Sequence, residues 1–325
     1  MERHRGPRLE MLWESCDPEQ TLAQRFGFAD ADAVDGWLRV TLATYWDVII
    51  ESCDRVVMSD HNALAWLTTT SGALIAKWSA ASKLFPRLSR VARLTQWLDG
   101  EGLPVSAPVH CAMAQCRSSW MACRWPCSMS STGRCSMSPI LSRSAPQGRR
   151  WLNCIVRSVD PPMSNTPLRR AKLSCRLRHE WHAGWSRRSR MCPSLPSRRL
   201  RRLVASARVL DDVPQLVHGD FRSANVLCSG SSVVGVLDFE EIRRDHCVDE
   251  LARSAVLLGT RFHDWGPVSP EVHAQFLAGY ETVRRLSPPE KHWWDVLVLW
   301  YTLAFVPVGH DPGWADSAET LAAAR

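Results

Sequence analysis

The chain has 325 residues, enough for one large domain or two modest ones, and 45% of them are hydrophobic, which supplies a core and sets the chain apart from disordered, highly charged sequences. Its formal charge of +7 is uneven: between Val109 and Arg199 stand 16 Arg and one Lys against only Asp160 and Glu180, so the rest holds 31 acidic and 23 basic residues, a net charge of −8. The charge thus implies neither a nucleic-acid partner nor an acidic membrane surface, and with no signal-peptide core in MERHRGPRLEMLWESC and Asp295 interrupting the short apolar run WWDVLVLWYTLAFVPV, a cytoplasmic protein is expected.

From the N-terminus, PEQTLAQRFGF and DAVDGWLRVTLATYW carry apolar residues at helical spacing. DVIIES, NALAWLTTT and ALIAKWS are short β-prone runs, and the turn around Ser71-Gly72 makes the last two an antiparallel hairpin. After Pro86, RLSRVARLTQWLDGEGLPV puts Leu88, Val91, Leu94, Trp97 and Leu98 on one helical face and stops at Gly100 and Gly102.

Beyond Pro108 neither the helical nor the strand period persists, and Trp, Cys, Met, Ser and Arg dominate. Eight of the twelve Cys lie here without a CxxC pair, which makes zinc a weak reading; without a secretion signal a disulfide framework is no better supported. Ordinary linkers are poor in Trp and Cys, so the segment is not simple low complexity. Regrouping the codons of MACRWPCSM, Met121 to Met129, one nucleotide earlier permits an alternating strand, and the same shift of RWLNCIV, Arg150 to Val156, permits helical text. Residues 109–196 are therefore expected to be translated out of frame and to be disordered or misfolded; a natural basic insertion is the alternative. The division expected is an N-terminal sheet unit over 1–108, this segment, and a catalytic unit over 197–325.

Sense returns in LVHGDFRSANVL, Leu216 to Leu227. PQLVHGD and SSVVGVLDFEE each carry an apolar run that ends in a carboxylate, Asp220 and Asp238. Asp220 and Asn225 are five positions apart across one loop, and a hard divalent cation such as magnesium takes an amide oxygen and a carboxylate beside nucleotide phosphates. A second carboxylate left off the metal can accept a proton from an attacking hydroxyl.

HGDFRSANVL followed by VLDFEE resembles the aminoglycoside phosphotransferase family, strongly from about Gln215 to Arg253 and more loosely back to Val105. The resemblance implies an α+β, two-lobed protein-kinase-like fold, with a small antiparallel sheet lobe, a larger mainly helical C-terminal lobe, and ATP between them. By position it implies Asp220 as catalytic base, Asn225 and Asp238 as magnesium ligands, and Lys77 of LIAKW as the strand lysine that holds nucleotide phosphates; His218 and Gly219 would shape the loop. Arg222 is open between touching phosphate and bracing the loop. A glutamate that pairs with the lysine is normal in the next helix, but RLSRVARLTQWLD has none before Asp99. Asp249 reads better as the N-cap of ELARSAVLLG than as a ligand. The expectation is an ATP-dependent kinase acting on a hydroxyl of a small molecule, without nucleic-acid or membrane partners; the alternative is a non-catalytic remnant of such a kinase.

Overall fold

A computed structural model of the chain describes residues 6–12, 14–109, 120–124, 193–210, 212–229, 232–261, 264–306 and 312–323. Most of the segment expected to be out of frame lies outside these residues. The chain divides into two compact units, Met1–Gly133 with Val234–Val236, and Arg134–Val233 with Leu237–Arg325.

The first unit is built on a five-stranded sheet in sequential order: β1 (Arg8–Met11), β2 (Ile50–Met58), β3 (Asn62–Thr69), β4 (Gly72–Ser79) and β5 (Trp120–Arg124). The β3–β4 hairpin closes where expected, with Thr69 opposite Gly72, whose φ of +113° favours glycine. Alternation along β3 buries Ala63, Ala65, Leu67 and Thr69. Trp66, on the other face, stacks under the Arg55 guanidinium of β2 at 4.1 Å. Two strands escaped the sequence reading. β1 is four residues long and joins β2 in parallel, whereas the remaining pairs are antiparallel. β5 falls in the anomalous segment and overlaps the stretch from Met121 whose regrouped codons also read as a strand; its ladder to β4 sets Met121 opposite Lys77.

Three helical pieces complete this unit. Asp17 caps α1 (Pro18–Thr21), which runs into a π-helical turn over Leu22–Phe26 and ends at Gly27. Asp30 caps α2 (Ala31–Trp46) through the Ala33 amide at 2.8 Å, and the helix buries Val34, Leu38, Leu42 and Trp46. These join Leu22, Val56, Met58 and Ala76 in one core. α3 (Phe85–Gly100) buries Leu88, Val91, Leu94 and Leu98 as the spacing predicts. Thr95 also lies on this face, its hydroxyl satisfied by the Val91 carbonyl at 3.0 Å, while Trp97 stays half-buried.

The second unit is mainly helical: α4 (Ser194–Ser206), α5 (Cys247–Val256), α6 (Pro270–Glu281), α7 (Pro288–Ala304) and α8 (Pro312–Ala323). Ser287 and Glu290 form a reciprocal capping box at the start of α7. The apolar run at α7 is core: Trp293, Trp294, Val296, Leu297, Val298 and Leu299 are all buried, packed with Leu200, Val248 and Leu251. Among the described residues no helix is long and apolar enough to cross a membrane. Short strands carry the motif: β6 (Gln215–Val217) pairs antiparallel with β9 (Arg243–Asp245), and β7 (Val226–Ser229) with β8 (Ser232–Val236).

Candidate active site

β6 delivers the chain into His218-Gly219-Asp220. Gly219 has φ +85°, and an added Cβ would collide with the Glu241 carbonyl and come within 2.6 Å of the Arg243 guanidinium, so no other residue fits. Its amide donates to Glu250 Oε2 at 2.9 Å. His218 is buried, its ring 4.6 Å from that of Phe239. The Asp220 amide donates to His218 Nδ1 at 3.2 Å, which puts the ring proton on Nε2, where it reaches the Leu237 carbonyl at 2.7 Å. His218 therefore braces the loop, as the resemblance implies.

The Asp220 carboxylate meets three donors. Asn225 Nδ2 donates to Oδ2 at 3.0 Å and to the Asp220 carbonyl at 2.9 Å; Arg222 Nε reaches Oδ2 at 3.1 Å; Arg253 Nη2 reaches Oδ1 at 3.4 Å. With its nitrogen committed to Asp220, Asn225 keeps its amide oxygen, the atom a hard cation takes. The loop between is one 3-10 turn, Ser223–Asn225, held by the Ser223 hydroxyl on the Thr260 carbonyl at 3.1 Å.

Asp238 follows a backbone pinned from two sides: the Leu237 amide donates to the Asn225 carbonyl at 2.8 Å, and the Leu237 carbonyl accepts from His218. Its own backbone is left-handed, φ 62° and ψ 62°, which strains a residue bearing a Cβ. It precedes the 3-10 turn Phe239–Glu241 without making a side-chain cap bond. Among the described residues no three His, Cys, Asp or Glu side chains are grouped to hold a metal, so a cation here would draw on the Asn225–Asp238 type of donor set and on oxygen atoms of its substrate.

Behind the loop, the N-cap of α5 is His246, which corrects the expectation for Asp249. Asp249 lies in the first helical turn, 1% exposed, where it accepts from Arg243 Nη2 at 2.9 Å and from the Tyr301 hydroxyl of α7 at 2.7 Å. A carboxylate this deep needs a charged partner, and the partner outcompetes the cap. Glu250, Arg253 and Arg243 were not found from the sequence. They come from β9 and α5, 23 or more positions past Asp220, and only α5 was hinted at, by the run VDELARS.

Lys77 belongs to the other unit, half-buried in β4 opposite Leu64 and Met121. α3 offers it no glutamate, and Asp99 is exposed near that helix's end.

Residues 157–292 match the model of the phosphotransferase enzyme family, a match that begins inside the Arg- and Cys-rich segment. No curated protein matches the chain. Solved structures with the same fold include the macrolide 2'-phosphotransferase MphH from Brachybacterium faecium, 13% identical with a TM-score of 0.59 over 89% of this chain and 98% of that one. The GDP and kanamycin complex of APH(2")-IIIa is 14% identical, with a TM-score of 0.57 over 88% and 97%. The streptomycin-ATP complex of APH(2")-IIa is 15% identical, with a TM-score of 0.56 over 90% and 98%. Residues 157–292 match the phosphotransferase family model and the fold is kinase-like, so the resemblance to the aminoglycoside phosphotransferases holds at the level of the fold.

Proposed function

We propose that the chain transfers a phosphoryl group from ATP to a hydroxyl of a small molecule, in the cytoplasm, with Asp220 as the base and Asn225 and Asp238 as magnesium ligands. The observation that carries this reading is the fixed Asp220–Asn225 pair, 3.0 Å between carboxylate oxygen and amide nitrogen, with Asp238 next to a doubly pinned backbone. One carboxylate is thereby held by nitrogen donors, while the Asn225 amide oxygen and the Asp238 carboxylate are of the hard donor type that magnesium takes. Magnesium, when bound, would neutralise charge on the phosphates. Asp220 would orient the acceptor hydroxyl and take its proton. Lys77, in the sheet unit, is the candidate to hold the nucleotide phosphates.

Solved structures of this fold hold nucleotides with kanamycin or streptomycin, which supports a small-molecule acceptor. The test is a pair of variants. Asp220→Asn should lower turnover by about 10²–10⁴-fold with Mg-ATP binding kept, whereas Asp238→Ala should weaken Mg-ATP binding as well. Near-normal turnover of Asp220→Asn overturns the role given to it. The remnant reading is tested by melting: at nucleotide about 100-fold over its dissociation constant, a working site adds about 2.7 kcal/mol, and a remnant gains nothing.

A further inference from the structure

Each unit carries one exposed face of strong charge, and the two faces are of opposite sign. In the sheet unit, Val40 of α2 is 68% exposed and Ile49, just past the helix, 61%. The Arg39 guanidinium donates to the Ile50 carbonyl at 2.7 Å, so the middle of α2 borders the start of β2. Asp47, Glu51 and Asp54 flank this patch, all exposed and none in an ion pair among the described residues. The register of β2 with β3 shifts at Glu51 and at Asp54, which leaves both outside the ladder, as bulge residues are. Gly36, one turn before Val40, weakens α2 relative to alanine, yet an added Cβ there would meet nothing within 4 Å. No packing inside the chain calls for that glycine. In the helical unit, α4 buries Pro196, Ser197 and Leu200 and leaves Arg198, Arg201 and Arg202 exposed. Arg208 and Val209 follow, also exposed, on a backbone fixed by Trp293 Nε1, which donates to the Arg208 carbonyl at 2.7 Å. None of these four arginines has an ion-pair partner among the described residues, and α4 itself has no acidic residue. Arg198 stands three and four positions before Arg201 and Arg202, spacings at which like charges destabilise a helix. A face kept only for solvent would mix the two signs.

We propose that these two faces bind one another between copies of the chain, the arginine face of α4 on one copy seating on the acid-flanked apolar patch of α2 and β2 on the next. Charge complementarity selects the occupant. Two α4 faces, or two α2–β2 faces, would set uncompensated charges of one sign together, so neither face can pair with its own kind. The contact is therefore heterologous and repeats head to tail until it closes. Val209 then meets an apolar patch beside its guanidiniums, and Gly36 lets the incoming helix approach the α2 backbone. The pairing is independent of the chemistry assigned to Asp220.

Sedimentation velocity of the full chain reads the association directly. At about 0.1 M salt it should show species above the 36.7 kDa of one copy, which revert to that mass at about 1 M, where screening extends only about 3 Å. Arg201→Glu with Arg202→Glu should weaken association about a hundredfold, and so should Glu51→Lys with Asp54→Lys in a second variant. The decisive arms are restorations. Mixing the two variants, or placing all four substitutions in one chain, sets opposite charges together again and should recover the wild-type mass. A misfolded variant cannot do that. A wild-type chain that stays monomeric at low salt overturns the proposal, as does an association that neither reversal weakens or that neither restoration recovers. If the chain stays monomeric while α4 binds heparin, the arginine face belongs to a polyanion and the pairing of copies falls.

Discussion

Gly219 is the point at which backbone and chemistry cannot be separated. With φ at +85° and the Glu241 carbonyl where a Cβ would stand, Gly219→Ala should cost about 1–3 kcal/mol and displace Asp220. A drop in the urea midpoint together with lost turnover would show it; an unchanged midpoint would refute the crowding. The Asp220–Asn225 contact and the place of Asp238 after a strand were legible because each residue lies beside a strand end, and strand ends are marked by short apolar runs. Arg253 and Glu250 were illegible for the opposite reason. Nothing local to Asp220 announces that a helix 33 positions on will place a guanidinium on its carboxylate.

At the scale of elements, α5 organises the loop. Its first turn carries Asp249, which grips Arg243 of β9, and Glu250, which holds the Gly219 amide. Arg243→Met would take the guanidinium from a carboxylate 1% exposed and should cost about 3–5 kcal/mol. Tyr301→Phe removes one neutral donor and should cost about 1–2 kcal/mol. Denaturant melts of both variants check the order, and a larger loss for Tyr301→Phe would contradict it. Helices and hairpins with a clear period were read correctly, as α2 and β3–β4 illustrate. β1 was missed because four residues are too few for any period, and a parallel partner more than forty positions away leaves no local turn signal.

For the whole molecule, pH acts through two histidines of opposite sense. His273, 5% exposed with neither ring nitrogen bonded, is pushed by burial down to about 4. The unfolded chain then takes up a proton that the folded chain refuses, so stability is full above about pH 6.5 and falls as pH drops, by at most about 3 kcal/mol near pH 4. His273→Phe should flatten that acid limb in pH-dependent melts, and a limb of unchanged depth would assign it elsewhere. At His246 burial opposes the charge, but the Asp212 carboxylate 2.6 Å from Nδ1 prevails and raises its pKa. That contribution is complete below about pH 6.5 and fades as pH rises through the raised value. The frame shift proposed for 109–196 is a property of the gene: the codon-position bias of the coding DNA should change phase near the codons for Val105 to Cys116 and return near Met191 to Val204, and an unbroken phase would dismiss it. The side-chain chain from Tyr301 through Asp249 to Arg243 has a last consequence, for motion. It ties a three-residue strand, too short to persist alone, to a helix that packs in the core of its unit. The amides of Val217 and Gly219 should then exchange with solvent only when α7 itself opens, as one cooperative unit. Cutting the link with Tyr301→Phe should let the loop exchange ahead of the helix, and the difference between their protection factors would measure the coupling directly.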